Sequence, residues 1–388
     1  MNGWKEYKLG EVCELLDCLH KTPVYSVSGY PMVRVTDVKN GALDVGRCLR
    51  VSEDVYKAFL KGYKPKIGDI VFSRVGSFGN SCIVKKEINF CIGQNTTLII
   101  PKEIDAFFTF YYLISSDAQS QIHGFAGGST QPTISMKSIK EIVVPFPPRP
   151  EQTAIAEVLS SLDDKIDLLH RQNKTLEQLA ETLFRQWFVE EAEEQSGKFV
   201  LLGDLVESVS ITHKFPEKEV VFLNTSDVYL GDVINHKKEL VNGLPGQAKK
   251  SIQKNDILFS EIRPANGRWA YIDFDADNYV VSTKLMVLRS KEKVSQAFIY
   301  FYLTNSSVVA WLQMLAESRS GTFPQITFEQ IRDLKIQVPS EKILTEASKI
   351  CTELLLKIKF NTQQIRTLTQ LRDILLPKLM SGEVRVKK

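Results

Sequence analysis

The chain has 388 residues, 43% hydrophobic and 24% charged, which is enough for two or three domains with their own cores. A net charge of +3 argues against a polypeptide that is basic throughout, but leaves room for local basic grooves. Its six cysteines form no CxxC pair and its five histidines are scattered, so the spacing predicts buried free thiols in a reducing compartment and no metal site.

The N-terminal segment carries charges where a signal peptide needs an apolar run. No stretch approaches the roughly 18 apolar residues of a membrane span. A cytoplasmic protein without membrane contact is expected.

In chain order, the first half repeats in the second. Leu9-Gly10-Glu11 matches Leu202-Gly203-Asp204, and Val35-Thr36-Asp37-Val38 resembles Thr225-Ser226-Asp227-Val228. Gly68-Asp69-Ile70-Val71-Phe72-Ser73 matches Asn255-Asp256-Ile257-Leu258-Phe259-Ser260. Tyr111-Tyr112-Leu113 matches Phe301-Tyr302-Leu303, and Ile139-Lys140-Glu141-Ile142 matches Ile331-Arg332-Asp333-Leu334. The offset drifts between 187 and 193, as it does when loops change length and the scaffold does not.

Within each copy, compact apolar runs bounded by turn formers predict strands at 69–72 and 256–259, and again at 95–100 and 284–288. Residues 107–113 and 298–303 read as buried helix or strand, since periodicity alone does not separate the two. The loops that follow hold Ser129, Thr130 and Gln131 in one copy and Thr322 and Gln325 in the other, and these are expected to pack against the long helices. Prolines at 147–150 and at 339 open a long helix in each copy.

Apolar residues recur at three- and four-residue spacing along both helices. The first series is Ile155, Leu159, Leu162, Ile166, Leu169, Leu176, Ala180, Leu183 and Trp187, with Asn173 on the same seam. The second is Ala347, Cys351, Leu354, Ile358, Ile365, Leu368, Leu375 and Leu379, with Asn361 and Arg372 on the seam. A heptad of this length predicts coiled-coil pairing, and a seam asparagine fixes register because only one alignment bonds the two amides. In an antiparallel pair, facing residues keep a constant sum of numbers. Asn173 and Asn361 sum to 534, as do Ile155 with Leu379 and Trp187 with Ala347 at the two ends. One antiparallel coiled coil between the copies, with pseudo-twofold symmetry and register set by Asn173 and Asn361, is therefore expected. At about 35 residues each, the helices would run roughly 50 Å. The charged segment at 190–197 reads as a solvated linker.

Two similar modules on paired helices suit a ligand with two separated sites, and duplex DNA is such a ligand. Candidate contacts follow the first repeated strand and open the next one: Arg74, Ser77, Asn80, Gln94 and Asn95 in the first copy. In the second they are Arg263, Asn266, Arg268, Thr283 and Lys284. Amide, arginine and lysine side chains can reach base edges or phosphates, although Asn80 and Asn266 could equally be making turns.

The sequence resembles type I restriction-modification specificity subunits. The resemblance is carried by Gly68-Asp69-Ile70-Val71-Phe72-Ser73-Arg74 and its copy, Pro147-Pro148-Arg149-Pro150-Glu151-Gln152, and Leu183-Phe184-Arg185-Gln186-Trp187-Phe188. The C-terminal Leu375-Leu376-Pro377-Lys378-Leu379-Met380-Ser381-Gly382-Glu383-Val384 is its most specific segment. It implies a mixed α+β chain: one target recognition domain at 1–148, a long helix and linker at 149–195, a second recognition domain at 196–339, and a C-terminal long helix at 340–388. Each recognition domain would read one half of a bipartite target in double-stranded DNA. The helices would set the spacer and dock two methyltransferase subunits, which bring S-adenosylmethionine. Restriction subunits would complete the assembly, and no cofactor is expected in this chain.

Arg74 is matched by Glu261, and Gln94-Asn95 by Thr283-Lys284, so two different half-sites are expected. Catalysis is not. There is no GxxxxGK[ST], Pro145-Phe146-Pro147-Pro148 lacks the polar residue of an adenine-methylation motif, and Asp256 near Glu261 belongs to a repeated strand that reads as structural. Two rival readings are the specificity component of a related fused assembly and a scaffold whose repeated modules bind protein.

Overall fold

The structure is a computed structural model that describes residues 3–386 apart from 128–131, 191–197, Glu292, Ser320, Gly321 and Pro339. Ser129, Thr130, Gln131 and most of the linker lie outside the described residues. The chain is a mixed α+β protein with two compact units. One comprises Met1–Leu168 with Gln364–Lys388, the other Leu169–Gln363.

In the first unit, five strands hydrogen-bond in the order Cys13–Asp17, Thr96–Pro101, Ile70–Ser73, Ser81–Ile83 and Gly41–Ala42. A smaller sheet contains the parallel pair Tyr30–Val33 and Cys91–Ile92. In the second unit the order is Val206–Ser208, Leu285–Ser290, Ile257–Ser260 and Trp269–Tyr271, beside a sheet with the parallel pair Glu219–Leu223 and Tyr279–Ser282. The segments left ambiguous between helix and strand are helices, Ala106–Leu113 and Gln296–Thr304. Asp105 and Ser295 cap them by accepting backbone N–H bonds.

The repeated motifs have physical reasons. Leu9-Gly10-Glu11 and Leu202-Gly203-Asp204 form single helical turns whose acidic side chain accepts the backbone N–H of Lys8 (2.7 Å) or Leu201 (3.3 Å). The glycine is a close approach: a Cβ at Gly10 would meet Lys140 Cβ at 2.8 Å, and one at Gly203 would meet Arg332 Cβ at 3.2 Å. Asp69 and Asp256 make the same turn before the same strand. Their Oδ2 atoms accept from Lys66 N at 2.7 Å and Gln253 N at 2.9 Å. The preceding residue is left-handed in both, Gly68 at φ 92° and Asn255 at φ 73°, residue types that tolerate that region. Asp256 is further committed to Arg289, at 2.6 and 3.0 Å.

The two long helices, Arg149–Arg185 and Glu341–Met380, each contribute to both units. In the first unit Ile155 and Leu159 share a core with Leu9, Ile70, Phe108, Leu379 and Met380. Asp163 there bridges the helices, accepting from Arg372 Nη1 at 3.0 Å and from the buried Tyr111 hydroxyl at 2.8 Å. In the second unit Asn361, fully buried, donates Nδ2 to Asn173 Oδ1 at 2.9 Å. Asn173 Nδ2 in turn donates to Thr362 Oγ1 at 3.2 Å. The facing pairs run antiparallel in each unit.

The seam itself needs correction at its ends. Leu183, Trp187 and Leu354 are only half-buried, whereas Phe184, Phe188 and Leu355 are buried. After Arg185 the helix widens into a π-helical turn, Gln186–Glu190, which shifts its facing residues. Phe184 and Phe188 stack at 4.7 Å, and Phe188 reaches Phe298 at 5.2 Å, so they serve the core of the second unit. All six cysteines are free and buried.

Candidate nucleic-acid interface

The residue after each repeated strand sits in one backbone frame. Arg74 N–H donates to Asn95 O at 2.9 Å, and Ile134 N–H donates to Arg74 O at 3.0 Å. In the second unit Glu261 N–H donates to Lys284 O at 3.0 Å, and Ile326 N–H to Glu261 O at 2.8 Å. These bonds make Arg74 equivalent to Glu261 and Asn95 to Lys284, the correspondence expected from the repeat.

Around that shared position the charges differ. The Arg74 guanidinium, 17% exposed, donates Nη1 to Asp17 Oδ1 at 2.6 Å and Nε to Ile134 O at 3.3 Å. Asp17 Oδ2 lies 3.0 Å from His20 Nε2. Burial pushes the Asp17 carboxyl up, but the His20 hydrogen bond and the Arg74 charge outweigh it and hold the group below its ordinary range. In the second unit the polarity is reversed. Glu261, 14% exposed, accepts from Gln325 Nε2 at 2.8 Å and lies 3.6 Å from Lys284 Nζ. Beneath it Lys250 donates Nζ to Thr283 O (3.1 Å) and Leu285 O (2.9 Å). Burial pulls the Lys250 ammonium below its ordinary value against the pull of Glu261.

The other candidates fall into two groups. Ser77 and Gln94 are exposed, and Asn95 is exposed in a left-handed turn at φ 63°. Arg263 is exposed and left-handed at φ 45°, and Asn266 is exposed at the end of the short turn Pro264–Asn266. A non-glycine residue in that region costs energy and is held by its surroundings. Three candidates are instead tied into the protein. Asn80 is half-buried, its backbone O accepting from Ser73 N at 2.9 Å. Arg268 donates Nη1 to Ser226 O at 3.0 Å and stacks over Tyr229 at 5.4 Å. Thr283, half-buried, donates its N–H to Gln247 O at 3.0 Å.

Gln325, expected to pack against a long helix, reaches Glu261, because the bridge from Ile262 to Gln325 brings its loop beside the repeated strand. The O of Thr322 accepts Arg263 Nη2 at 3.4 Å. Sequence reasoning missed Asp17 and His20; it aligned Glu261 with Arg74 but did not join Gln325 to it. The Arg74–Glu261 mismatch was the available signal. Asp17, Cys18 and His20 place potential metal-binding atoms within 4.8 Å of one another. The Asp17 carboxylate is already committed to Arg74 and His20, and burial first, then Asp17, raises the Cys18 thiol.

Comparison with known proteins follows the same lines. The sequence matches the type I restriction modification DNA specificity domain twice, over residues 1–178 and 196–370. The chain belongs to the type I restriction-modification DNA specificity family. It is 43% identical over 176 residues to the HindI specificity subunit of Haemophilus influenzae, a match covering 45% of this chain and 38% of that protein. It is 26% identical over 350 residues to the MjaIX specificity subunit of Methanocaldococcus jannaschii, covering 83% and 78%. In fold it is similar to the crystal structure of a type I restriction-modification S subunit from M. genitalium, with a TM-score of 0.67, 20% identity and 98% of this chain covered. Among the described residues, no helix is long and apolar enough to cross a membrane.

Proposed function

We propose that this chain is the sequence-reading subunit of a type I restriction-modification assembly, acting on double-stranded DNA in the cytoplasm. Each recognition domain, 1–148 and 196–339, reads one half of a bipartite, asymmetric target. The helical segments, 149–195 and 340–388, set the spacer and dock two methyltransferase subunits. Adenine methylation and S-adenosylmethionine belong to those partners, and restriction subunits join the full complex. This chain supplies binding energy and geometry and no catalytic group.

The observation that carries the reading is the shared backbone frame filled differently in the two domains, Arg74 in one and Glu261 in the other. One scaffold with two side-chain sets is what an asymmetric target requires. The exposed candidates Ser77, Gln94, Asn95, Arg263 and Asn266 would supply phosphate and base contacts beside it. Asn173 and Asn361 would hold the helix register on which half-site spacing depends.

The test is selection from a random duplex pool by the full chain assembled with its methyltransferase subunit. A consensus of two unlike half-sites at fixed separation is expected. Recovery of unenriched sequence, with and without the subunit, would remove the reading.

A further inference from the structure

Arg74 and Glu261 differ in more than sign. Each is the head of a braced group, and the brace comes from a different part of the chain in each domain. Asp17, at the end of strand Cys13–Asp17, holds Arg74. Lys284 and Gln325, from two loops, hold Glu261. The frame therefore does not need either sign for folding. Both side chains are mostly but not fully covered, at 17% and 14% exposure, so they are oriented and still reachable.

What each presents outward follows from the bonds already made. Arg74 spends Nε and Nη1 on the protein, and its Nη2 meets no acceptor among the described residues. Asp17 offsets its charge and fixes the plane of the fork. Glu261 spends Oε2 on Gln325, and its Oε1 meets no donor among the described residues. Lys284 offsets the carboxylate, without which a negative group would be repelled by DNA phosphates.

Resting on the proposed function, we infer that this position reads a base in both half-sites with opposite hydrogen-bond polarity. Arg74 donates to the major-groove acceptors of a guanine, and Glu261 accepts from the N4 amine of a cytosine. Guanine presents N7 and O6 as acceptors, and cytosine alone of the pyrimidines presents an amine there. A brace that fixes the side chain before binding keeps the ordering cost low, which is where discrimination is gained.

The test uses the full chain with its methyltransferase subunit and the same random duplex pool. Glu261→Gln removes the carboxylate at constant shape. Preference for cytosine at one position of one half-site should fall roughly tenfold or more, with the other half-site unchanged. Arg74→Lys keeps the charge beside Asp17 but loses the fork, and should relax one guanine in the opposite half-site. Thermal unfolding midpoints near the parent's confirm that both variants fold. If the parent yields a consensus and both variants keep it, or weaken all sequences alike, this inference is overturned while the proposed function stands. A parent consensus lacking that guanine also overturns it. Absence of any parent consensus removes the proposed function itself.

Discussion

At the residue scale, two equivalent aspartates make one turn and differ in what surrounds their charge. Asp256 faces Arg289, whereas among the described residues Asp69 accepts from the Tyr63 hydroxyl (2.9 and 3.1 Å) and Lys66 N–H (2.7 Å). Burial is the largest influence on the Asp69 carboxyl and raises it above its ordinary 3.8. A raised carboxyl pKa means that the folded state favours the proton. The stabilisation this gives is complete below the ordinary value and is lost as pH rises through the raised one. Asp69→Asn, which keeps an acceptor without the charge, should therefore flatten the pH dependence of stability just above pH 3.8. Urea unfolding at several pH values reads this directly, and an unchanged pH profile would contradict it. Asp17 has the opposite sign, its stabilisation present above the ordinary value and lost as pH falls through the lowered one.

At the scale of elements, a polar pair joins the helices in each unit, and the two pairs differ in kind. Asp163 and Arg372 form a charged bridge, while Asn173 and Asn361 form an amide pair. Among the described residues the Oδ1 of Asn361 is buried without a partner, so the amide pair is not optimised for stability. Asn173→Leu alone strips the remaining good acceptor from a buried amide and should cost about 1–3 kcal/mol. Adding Asn361→Leu should recover that loss or exceed it, since apolar pairs replace buried polar ones at little cost. A double-mutant cycle by denaturant unfolding gives the coupling, and simple additivity would show that the amides do not act as a pair. Under the proposed function, register control predicts in addition that the double variant would lose a fixed half-site spacing.

For the whole molecule, the C-terminal turns of helix Glu341–Met380 complete the core of the first unit. Leu379 and Met380 pack with Leu9, Ile70 and Phe108, more than 270 positions away in sequence. Leu379→Ala should therefore cost about 2–5 kcal/mol. The loss of hydrogen-exchange protection should appear in residues 3–168 before it appears in 198–338. Equal loss across both stretches would mean that the two units unfold as one. The same closure ties the ends of the chain into one unit although its second unit is sequence-internal.

The duplication, the repeated strands and the two long helices were all legible in the sequence. Each is enforced locally: an aspartate that satisfies its own turn, a glycine that lets two segments touch, and apolar residues at helical spacing. The alignment of Arg74 with Glu261 was legible for the same reason. What surrounds those residues was not. Asp17 meets Arg74 across 57 positions, and Gln325 meets Glu261 across 64. Such encounters depend on how strands and loops are laid side by side, and no periodicity records it. The burial of Phe184 in place of Leu183 was likewise decided by packing, since the aromatic core of Phe298 and Tyr302 overrode the heptad. Sequence determined the scaffold because backbone geometry repeats with it. Tertiary structure decided which edge of Arg74 and which of Glu261 is engaged, because a side chain's free hydrogen-bonding edge is whatever its distant neighbours leave unpaired.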